Sequence, residues 1–514
     1  MEDTWTGKLR GTATGVGGGG GSGLLVFFAV VLLGIGLIHY YLWKRLVRDP
    51  LRPGWGRRAG TIVAVVLCAL VPLTLIGVRA GYFTWLSWPG YLWVAVMFYL
   101  LVTLLVLEIP RLLLMRLWAG SGRTTGKSPI ETSGEPALIG TAGAAGGAGA
   151  GATTATEAAA ATPTAAETPS RSGTETSPQV VTDTPSRSGT ETSPRVVTDT
   201  PPWAGTETPP RVGTDTPPRA GADTPASTGS VAGDPSPTER QGIERRLLLA
   251  RGTAIFAGLT AAGITGYGVK TATSAPQIDR VQLPMAKLPR AMDGTRLAVV
   301  SDIHIGPLTG VNHAQRIVQV INSVNADLVC IVGDLVDGSV AELGRFAAPL
   351  GGIESRHGAF FVTGNHEYYS GAEEWINEVS RLGIRPLRNE RVAINGLDLA
   401  GVNDLSGEEQ GDAPDFARAL GDRDTARPVV LMAHQPVAAV EAAPYGVDLQ
   451  VSGHTHGGQM APFNLLVKLQ QPVVSGFGEV DGVPVYVTNG AGFWGPPVRV
   501  GAPPQVTVIE LRVA

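Results

Sequence analysis

Five short polar clusters carry residue types suited to metal chemistry, and each follows an apolar stretch of strand length. Ser301-Asp302-Ile303-His304 follows Leu297–Val300, and Gly333-Asp334-Leu335-Val336-Asp337-Gly338 follows Leu328–Val332. Gly364-Asn365-His366-Glu367 follows Phe360–Val362, His434 follows Val429–Ala433, and Gly453-His454-Thr455-His456-Gly457-Gly458 follows Leu449–Val451. Asp302 and His304 stand two apart, as do His454 and His456, and on an extended segment that spacing puts both side chains on one side. Four imidazoles, two carboxylates and an amide make a mixed nitrogen and oxygen donor set. It suits Mn, Fe, Zn or Co, whereas Ca or Mg favour all-oxygen ligands. No cysteine joins the set, which argues against a structural zinc site. The donors are too many for one tetrahedral ion, so two ions sharing a carboxylate is the economical arrangement. Glycines flank most clusters, as expected where backbone turns sharply beside a ligand.

Taken singly, each cluster has a plainer explanation. Asp-x-His is a weak pattern, Gly-Asp-x-x-Asp is often a loop with a helix-capping Asp, and Gly-Asn-His-Glu could be a turn. A lone His434 is more often structural than functional. Gly-His-Thr-His-Gly-Gly is fairly specific by itself. All five in this order, each at a strand end, outweigh those separate explanations. The remaining histidines read as bystanders: His39 as a membrane-interface residue, His313 as an exposed helix residue and His357 as structural.

The elements that must position these clusters are legible around them. Further strand-like runs are Leu397–Val402, Val483–Val487 and Val506–Leu511, and helix-like patterns cover Val311–Val324 and Ala372–Leu382. Strands alternating with helices early, then strands dominating late, predict an α/β sandwich with mixed sheets. Ligands bind at the carboxyl edge of strands in open α/β sheets, so five clusters at that edge can converge.

The series Asp302-Ile303-His304, Gly333-Asp334-x-x-Asp337, Gly364-Asn365-His366-Glu367, His434 and Gly453-His454-Thr455-His456 resembles the calcineurin-like metallophosphoesterase family over about residues 295–511. Gly457-Gly458-Gln459 and the run from Asn489 to Pro497 look like its membrane-anchored bacterial phosphodiesterase branch. The resemblance implies a four-layer αββα sandwich and a dinuclear centre. By motif position, Asp302, His304 and His456 would bind one metal and Asn365, His434 and His454 the other, with Asp334 bridging. His366 would contact the phosphate and protonate the leaving group or steady the transition state, and Asp337 would support the site by hydrogen bonding. The implied cofactors are two divalent ions, Mn, Fe or Zn, which lower the pKa of a bridging water and offset phosphoryl charge. The resulting metal-bridging hydroxide would attack the ester. Gly338 stands where the family frequently has Arg, which bears on substrate contacts at that loop.

The rest of the chain is of another kind. Charged residues are 16% of 514, against roughly 25% in ordinary soluble proteins. Gly (68) and Pro (38) are abundant, and mean hydropathy is +0.13. Net charge is only −4, so no global basic field points to nucleic acid. Cys68 and Cys330 lie far apart in apolar runs, which argues against a disulfide framework. Leu24–Trp43, Thr61–Val78 and Tyr91–Leu107 are each about long enough to cross a hydrocarbon core of roughly 30 Å. Gly252–Val269 is a weaker fourth run, richer in Gly, Ala and Thr. Arg245-Arg246 before it resembles a twin-arginine export signal and reads equally well as a basic helix cap.

The organisation expected is a tail over 1–23, a membrane domain with three spans over 24–118, and a disordered linker over 119–240. A fourth transmembrane helix or signal anchor follows over 245–270, then the metallophosphoesterase domain over 285–514. The linker is Ala/Gly-rich and then Thr/Pro-rich, repeats Thr168–Asp183 as Thr184–Asp199 with one change, and holds a single aromatic, Trp203. It cannot bury enough apolar surface to offset its ordering entropy. Lys44, Arg45, Arg48, Arg52, Arg57 and Arg58 crowd the loop after span one, whereas the loop after span two carries only Arg79. By the positive-inside rule the first loop is cytoplasmic, and four spans leave the catalytic domain extracytoplasmic in a multi-pass cell-membrane protein.

The functional expectation is a membrane-anchored, metal-dependent phosphoesterase cleaving phosphodiester or pyrophosphate bonds in lipid or envelope substrates. Its partners would be the phosphoester, free or lipid-linked, and the membrane, with no nucleic acid. A nucleotide or nucleic-acid phosphodiesterase is the runner-up, disfavoured by the lack of a basic run to follow a polyanion. A receptor that binds phosphate at the metal centre without turnover is a third reading.

Overall fold

The computed structural model describes residues 20–78, 80–118 and 237–514. The linker expected over 119–240 therefore lies, up to residue 236, outside the described residues. Among the described residues four helices are long and apolar enough to cross a membrane: α1 (Gly20–Trp43, continued by a π-helical turn Lys44–Arg48), α2 (Trp55–Gly77), α3 (Ser87–Trp118) and α4 (Pro237–Thr273). α3 and α4 run well past the expected apolar cores at both ends, carrying basic residues such as Arg111 and Arg251 at one end. There Arg45 pairs with Glu108 at 2.7 Å, Tyr41 donates to Glu108 at 2.8 Å, and Arg251 donates to the Pro50 carbonyl at 3.1 Å.

The C-terminal part begins earlier than residue 285. Strand β1 (Gln277–Met285) follows α4 after three residues and pairs in parallel with β12 (Gln505–Val513). Two six-stranded mixed sheets follow. The first has the order β1, β12, β2 (Arg296–Val300), β3 (Leu328–Val332), β4 (Ala359–Val362) and β5 (Arg385–Pro386). The second has the order β10 (Gly476–Val480), β11 (Val483–Val487), β9 (Leu449–Ser452), β8 (Val429–Met432), β7 (Leu397–Gly401) and β6 (Glu390–Ile394).

Three separate cores make this a four-layer αββα sandwich. Ala298, Val300, Ile331 and Phe361 face α5 (Val311–Ser323), α6 (Val340–Ala347) and α8 (Ala372–Arg381). Their immediate neighbours Leu297, Val299, Cys330 and Phe360 point the other way, onto Leu399, Val430 and Val451 of the second sheet. On that sheet's far face Ala400, Leu431 and Val485 pack under Phe416, Leu420 and Ala439. Strands buried on both faces show no polar alternation, which is why they read as continuous apolar runs. Trp375 of α8 is wholly buried and donates from Nε1 to the Gly338 carbonyl at 2.9 Å, tying the outer helix layer to the Asp337 loop.

Candidate metal centre

The carboxyl ends of β2, β3, β4, β8 and β9 bring all the clustered residues together. Asp302 and His304 come from the turn after β2, Asp334 and Asp337 from that after β3, and Asn365 and His366 from the start of α7 (Asn365–Ser370), directly after β4. His434 lies two residues past β8, and His454 and His456 follow β9. Asp302, His304, Asp334, His454 and His456 all have positive φ, between 48° and 69°. That region is costly for residues with a Cβ, and it concentrates where surrounding structure dictates the backbone. Glycine is required beside them. At Gly333, φ is +84° and a Cβ would come within 2.7 Å of the Gly364 backbone; at Gly453 it would collide with Ser301 and Asp302.

Two donor groups meet at Asp334. Asp302, His304 and His456 form one, with His304 Nε2 3.0 Å from His456 Nε2 and His456 Nε2 3.3 Å from Asp302. Asp334, His434 and His454 form the other, with His434 Nε2 3.2 Å from Asp334 Oδ2 and Asn365 Oδ1 3.0 Å from His454 Nδ1. The same Asp334 Oδ2 lies 3.8 Å from His304 Nε2, so one carboxylate faces both groups. His366 also stands within ligand reach of His304 and Asp334.

Outer contacts aim these donors. His434 Nδ1–H donates to the Val332 carbonyl at 2.7 Å, leaving Nε2 for the centre. Asp337 Oδ1 lies 2.8 Å from Nδ1 of both His304 and His366, so one carboxylate orients a donor of the first group and the residue at its edge. Burial opposes charge on His304, but Asp337, Asp334 and Asp302 outweigh it and raise the imidazole to about 9. Burial likewise opposes charge on His434, and the Asp334 carboxylate overrides it upward. His454 and His456 go the other way. Burial and then His434 lower His454 to about 3, and burial and then Arg499 hold His456 well below the ordinary histidine range.

This arrangement fits divalent cations. Two nitrogens each about 2.0–2.1 Å from one ion stand about 3 Å apart, close to the separation of His304 and His456 Nε2. His454 and His456 are held in the neutral form by burial and by the positive charges beside them. The positive charge held by His304 and His434 between carboxylates is charge that a bound cation would replace, since protons and metals compete for the same nitrogens.

Two residues that the clusters did not single out complete the frame. Glu367 is fully buried and accepts from Gly364 N (2.6 Å), Asp334 N (3.0 Å) and Leu335 N (2.7 Å). Burial and then Asp334 push its carboxyl up, to about 8, against the three backbone donors aimed at it. Arg499 is also fully buried. It donates to the carbonyls of His456, Gly492, Asn489 and Ala502 and, from Nη2, to His456 Nδ1 at 3.1 Å. Glu367 sat inside a quoted motif, but its partners are backbone groups some thirty residues away.

His313 corrects an expectation. It is buried, not exposed, and its Nε2 lies 3.2 Å from the Ile303 carbonyl, inside the turn between Asp302 and His304. It shares the α5 stripe of Ala314, Ile317, Val318 and Ile321, so the helical periodicity already placed it on the inner face. His39 is likewise buried, accepting from Trp93 Nε1 at 3.2 Å. His357 lies 3.3 Å from Asn395 Nδ2, away from the centre.

Residues 295–458 match the family described as calcineurin-like phosphoesterase. The chain is 37% identical over 274 residues to a transmembrane protein with metallophosphoesterase domain from Danio rerio, covering 51% of this chain and 63% of that one. It is 35% identical over 279 residues to an uncharacterized metallophosphoesterase of Helicobacter pylori, covering 54% and 73%. A third relative, an uncharacterized metallophosphoesterase of Aquifex aeolicus, is 33% identical over 243 residues, covering 46% and 92%. The match thus spans just under two thirds of the zebrafish protein's length. With a relative covered this fully at this identity, the chain belongs to the calcineurin-like metallophosphoesterases, metal-dependent hydrolases acting on phosphoesters.

Proposed function

We propose that this centre hydrolyses phosphodiester or pyrophosphate bonds of lipid or envelope molecules at the extracytoplasmic membrane surface. The observation that carries the reading is Asp334, one carboxylate shared by two donor groups beside His366. Asp302, His304 and His456 would hold one divalent ion and Asn365, His434 and His454 the second, with Asp334 between them; Mn, Fe or Zn suit the donors. When bound, such ions activate water and offset charge on phosphoryl oxygens. The water gives up a proton as its oxygen bonds to phosphorus, the P–O bond to the leaving group breaks, the leaving oxygen takes a proton from His366, and the proton released from water restores His366. His366 suits that task because Asp337 engages its Nδ1, leaving the other ring nitrogen for the substrate.

Charge placement supports the outward orientation. The basic residues of the α1–α2 loop gather at the helix ends where Arg45, Glu108, Arg111 and Asp49 pair, while Tyr91 at the start of α3 lies against Gly495 of the sandwich. A positively charged end away from the sandwich favours an outward-facing sandwich.

The test is hydrolysis by the full chain in detergent, stripped of metal and reloaded with Mn, Zn, Fe or Mg. Metal-dependent cleavage of bis-p-nitrophenyl phosphate in preference to p-nitrophenyl phosphate is expected. Monoester preference would overturn the diesterase assignment, and metal binding without any cleavage would favour a phosphate receptor.

A further inference from the structure

A cavity of about 530 Å³ opens beside His304, His366 and Asp337, and residues of the membrane helices form part of its lining. Leu75 and Val78 from the end of α2 and Tyr91 from the first turns of α3 line it together with Phe493 and Trp494. Trp494 is 54% exposed with its ring 6.1 Å from that of His366, and Leu75 is 41% exposed. The cavity is thus polar at the metal centre and apolar where it meets the spans.

Its depth relative to a bilayer follows from helix geometry. Tyr91 precedes the basic Arg111 by 20 residues of one helix, about 30 Å of axial rise and so about one hydrocarbon thickness. Tyr82, Phe83, Trp85 and Trp88 crowd the same end with much of their surface exposed, as residues at a headgroup boundary do. The cavity mouth therefore sits where phosphate headgroups lie. A second, separate contact agrees. Ala461 and Pro462 line a second cavity together with Tyr99, Val102 and Tyr267, deeper along α3 than Tyr91. The residues that follow leave Phe463, Leu465, Leu466 and Leu469 47–80% exposed. A water-facing segment would not carry that run, whereas one seated in the outer leaflet would.

We propose that the substrate is a lipid-borne phosphoester, its phosphate at the metal centre and its hydrocarbon laid against Leu75, Val78 and Tyr91, so that spans α2 and α3 form part of the substrate site. This rests on the hydrolase reading above and deepens it. A soluble nucleotide or sugar phosphate would leave that wall unused.

The test uses the full chain in nanodiscs and two readouts. The first is photolabelling by a diacylglycerol phosphonate with CH₂ in place of the scissile oxygen and a diazirine near the glycerol end of one chain. Labelling of peptides containing Leu75, Val78 or Tyr91, suppressed by unlabelled phosphonate and absent with a neutral diacylglycerol probe, is expected. The second compares kcat/KM for p-nitrophenyl phosphatidate with that for bis-p-nitrophenyl phosphate in wild type and Leu75→Asn. The lipid-to-soluble ratio should fall at least about tenfold, the scale of one lost apolar contact at the transition state. An unchanged ratio together with equal labelling by the neutral probe overturns the lipid wall while leaving the hydrolase intact. Phosphonate-specific labelling with no cleavage of either ester under any metal overturns the hydrolase and leaves the lipid site standing.

Discussion

Asp337 is the residue on which site and chemistry join. Its Oδ1 lies 2.8 Å from both His304 and His366, and those ring attractions hold its own carboxyl far below the ordinary range despite burial. Two substitutions separate the roles. His366→Ala should lower kcat by about 10²–10⁴, the usual contribution of a positioned acid, with metal content measured by mass spectrometry unchanged. Asp337→Asn should do both, weakening metal retention about 10–100-fold as loss of an orienting partner does, and lowering kcat further even at saturating Mn. Metal loss in the His366 variant would instead make His366 a ligand, a role its distance to His304 and Asp334 allows. Most of this constellation was legible as residue types and spacing. Glu367 and Arg499 were not, because each acts on backbone: Glu367 through three N–H groups and Arg499 mainly through carbonyls, partners that carry no residue signature.

At the scale of elements, legibility divides the sheets in a simple way. The eight apolar runs are β2, β3, β4 and β12 of one sheet and β7, β8, β9 and β11 of the other, every one of them an interior strand. The four strands not read, β1, β5, β6 and β10, are the four sheet edges. Edge strands are half exposed, as the alternating burial of β1 and β10 shows, and so have no continuous apolar run to betray them. That is also why β1, Gln277–Met285, lies ahead of the expected sandwich. The site hangs on interior strands, so missing the edges cost nothing at the centre. What holds those strand ends together is the first turn of α7, where Glu367 bonds back to Gly364 and across to Asp334 and Leu335. Glu367→Gln should therefore behave as a site-assembly defect. Its amide must turn an N–H toward a backbone N–H, leaving at least one buried donor unpaired at about 1–3 kcal/mol. The expected result is a lowered thermal midpoint of the full chain in detergent, with a rise in the Mn concentration needed for half-maximal activity. A variant with wild-type midpoint and wild-type Mn dependence would show that the β3 and β4 ends are held by strand pairing alone.

For the whole molecule the open question is which side of the membrane the sandwich occupies, and it turns on the parity of the spans. Four helices meet the length and apolarity of a span, and the last of them, α4, leads into β1 within three residues. Remove α4 as a span and the sandwich would lie on the side of the basic loop; keep it and the sandwich lies opposite. The structure sharpens what composition left weak. α4 packs Ala257 and Ala261 against Tyr99, Leu100 and Leu104 of α3, small residues that let two helices approach closely in a bilayer. It also carries Arg251 to the Pro50 carbonyl at the basic end and Gly268 to Val498 of the sandwich at the other. A helix anchored at both ends of the bundle favours a fourth span, with the sandwich opposite the basic loop. Single-cysteine labelling reads the outcome directly. Cys68 and Cys330 are replaced by Ala, and cysteine is placed at Arg52 in the basic loop or at Glu479 on edge strand β10, both exposed. A membrane-impermeant maleimide applied to intact cells should label E479C at once and R52C only after permeabilisation. The reverse pattern would place the sandwich in the cytoplasm, and with it the metal centre and any lipid it acts on would belong to the inner leaflet.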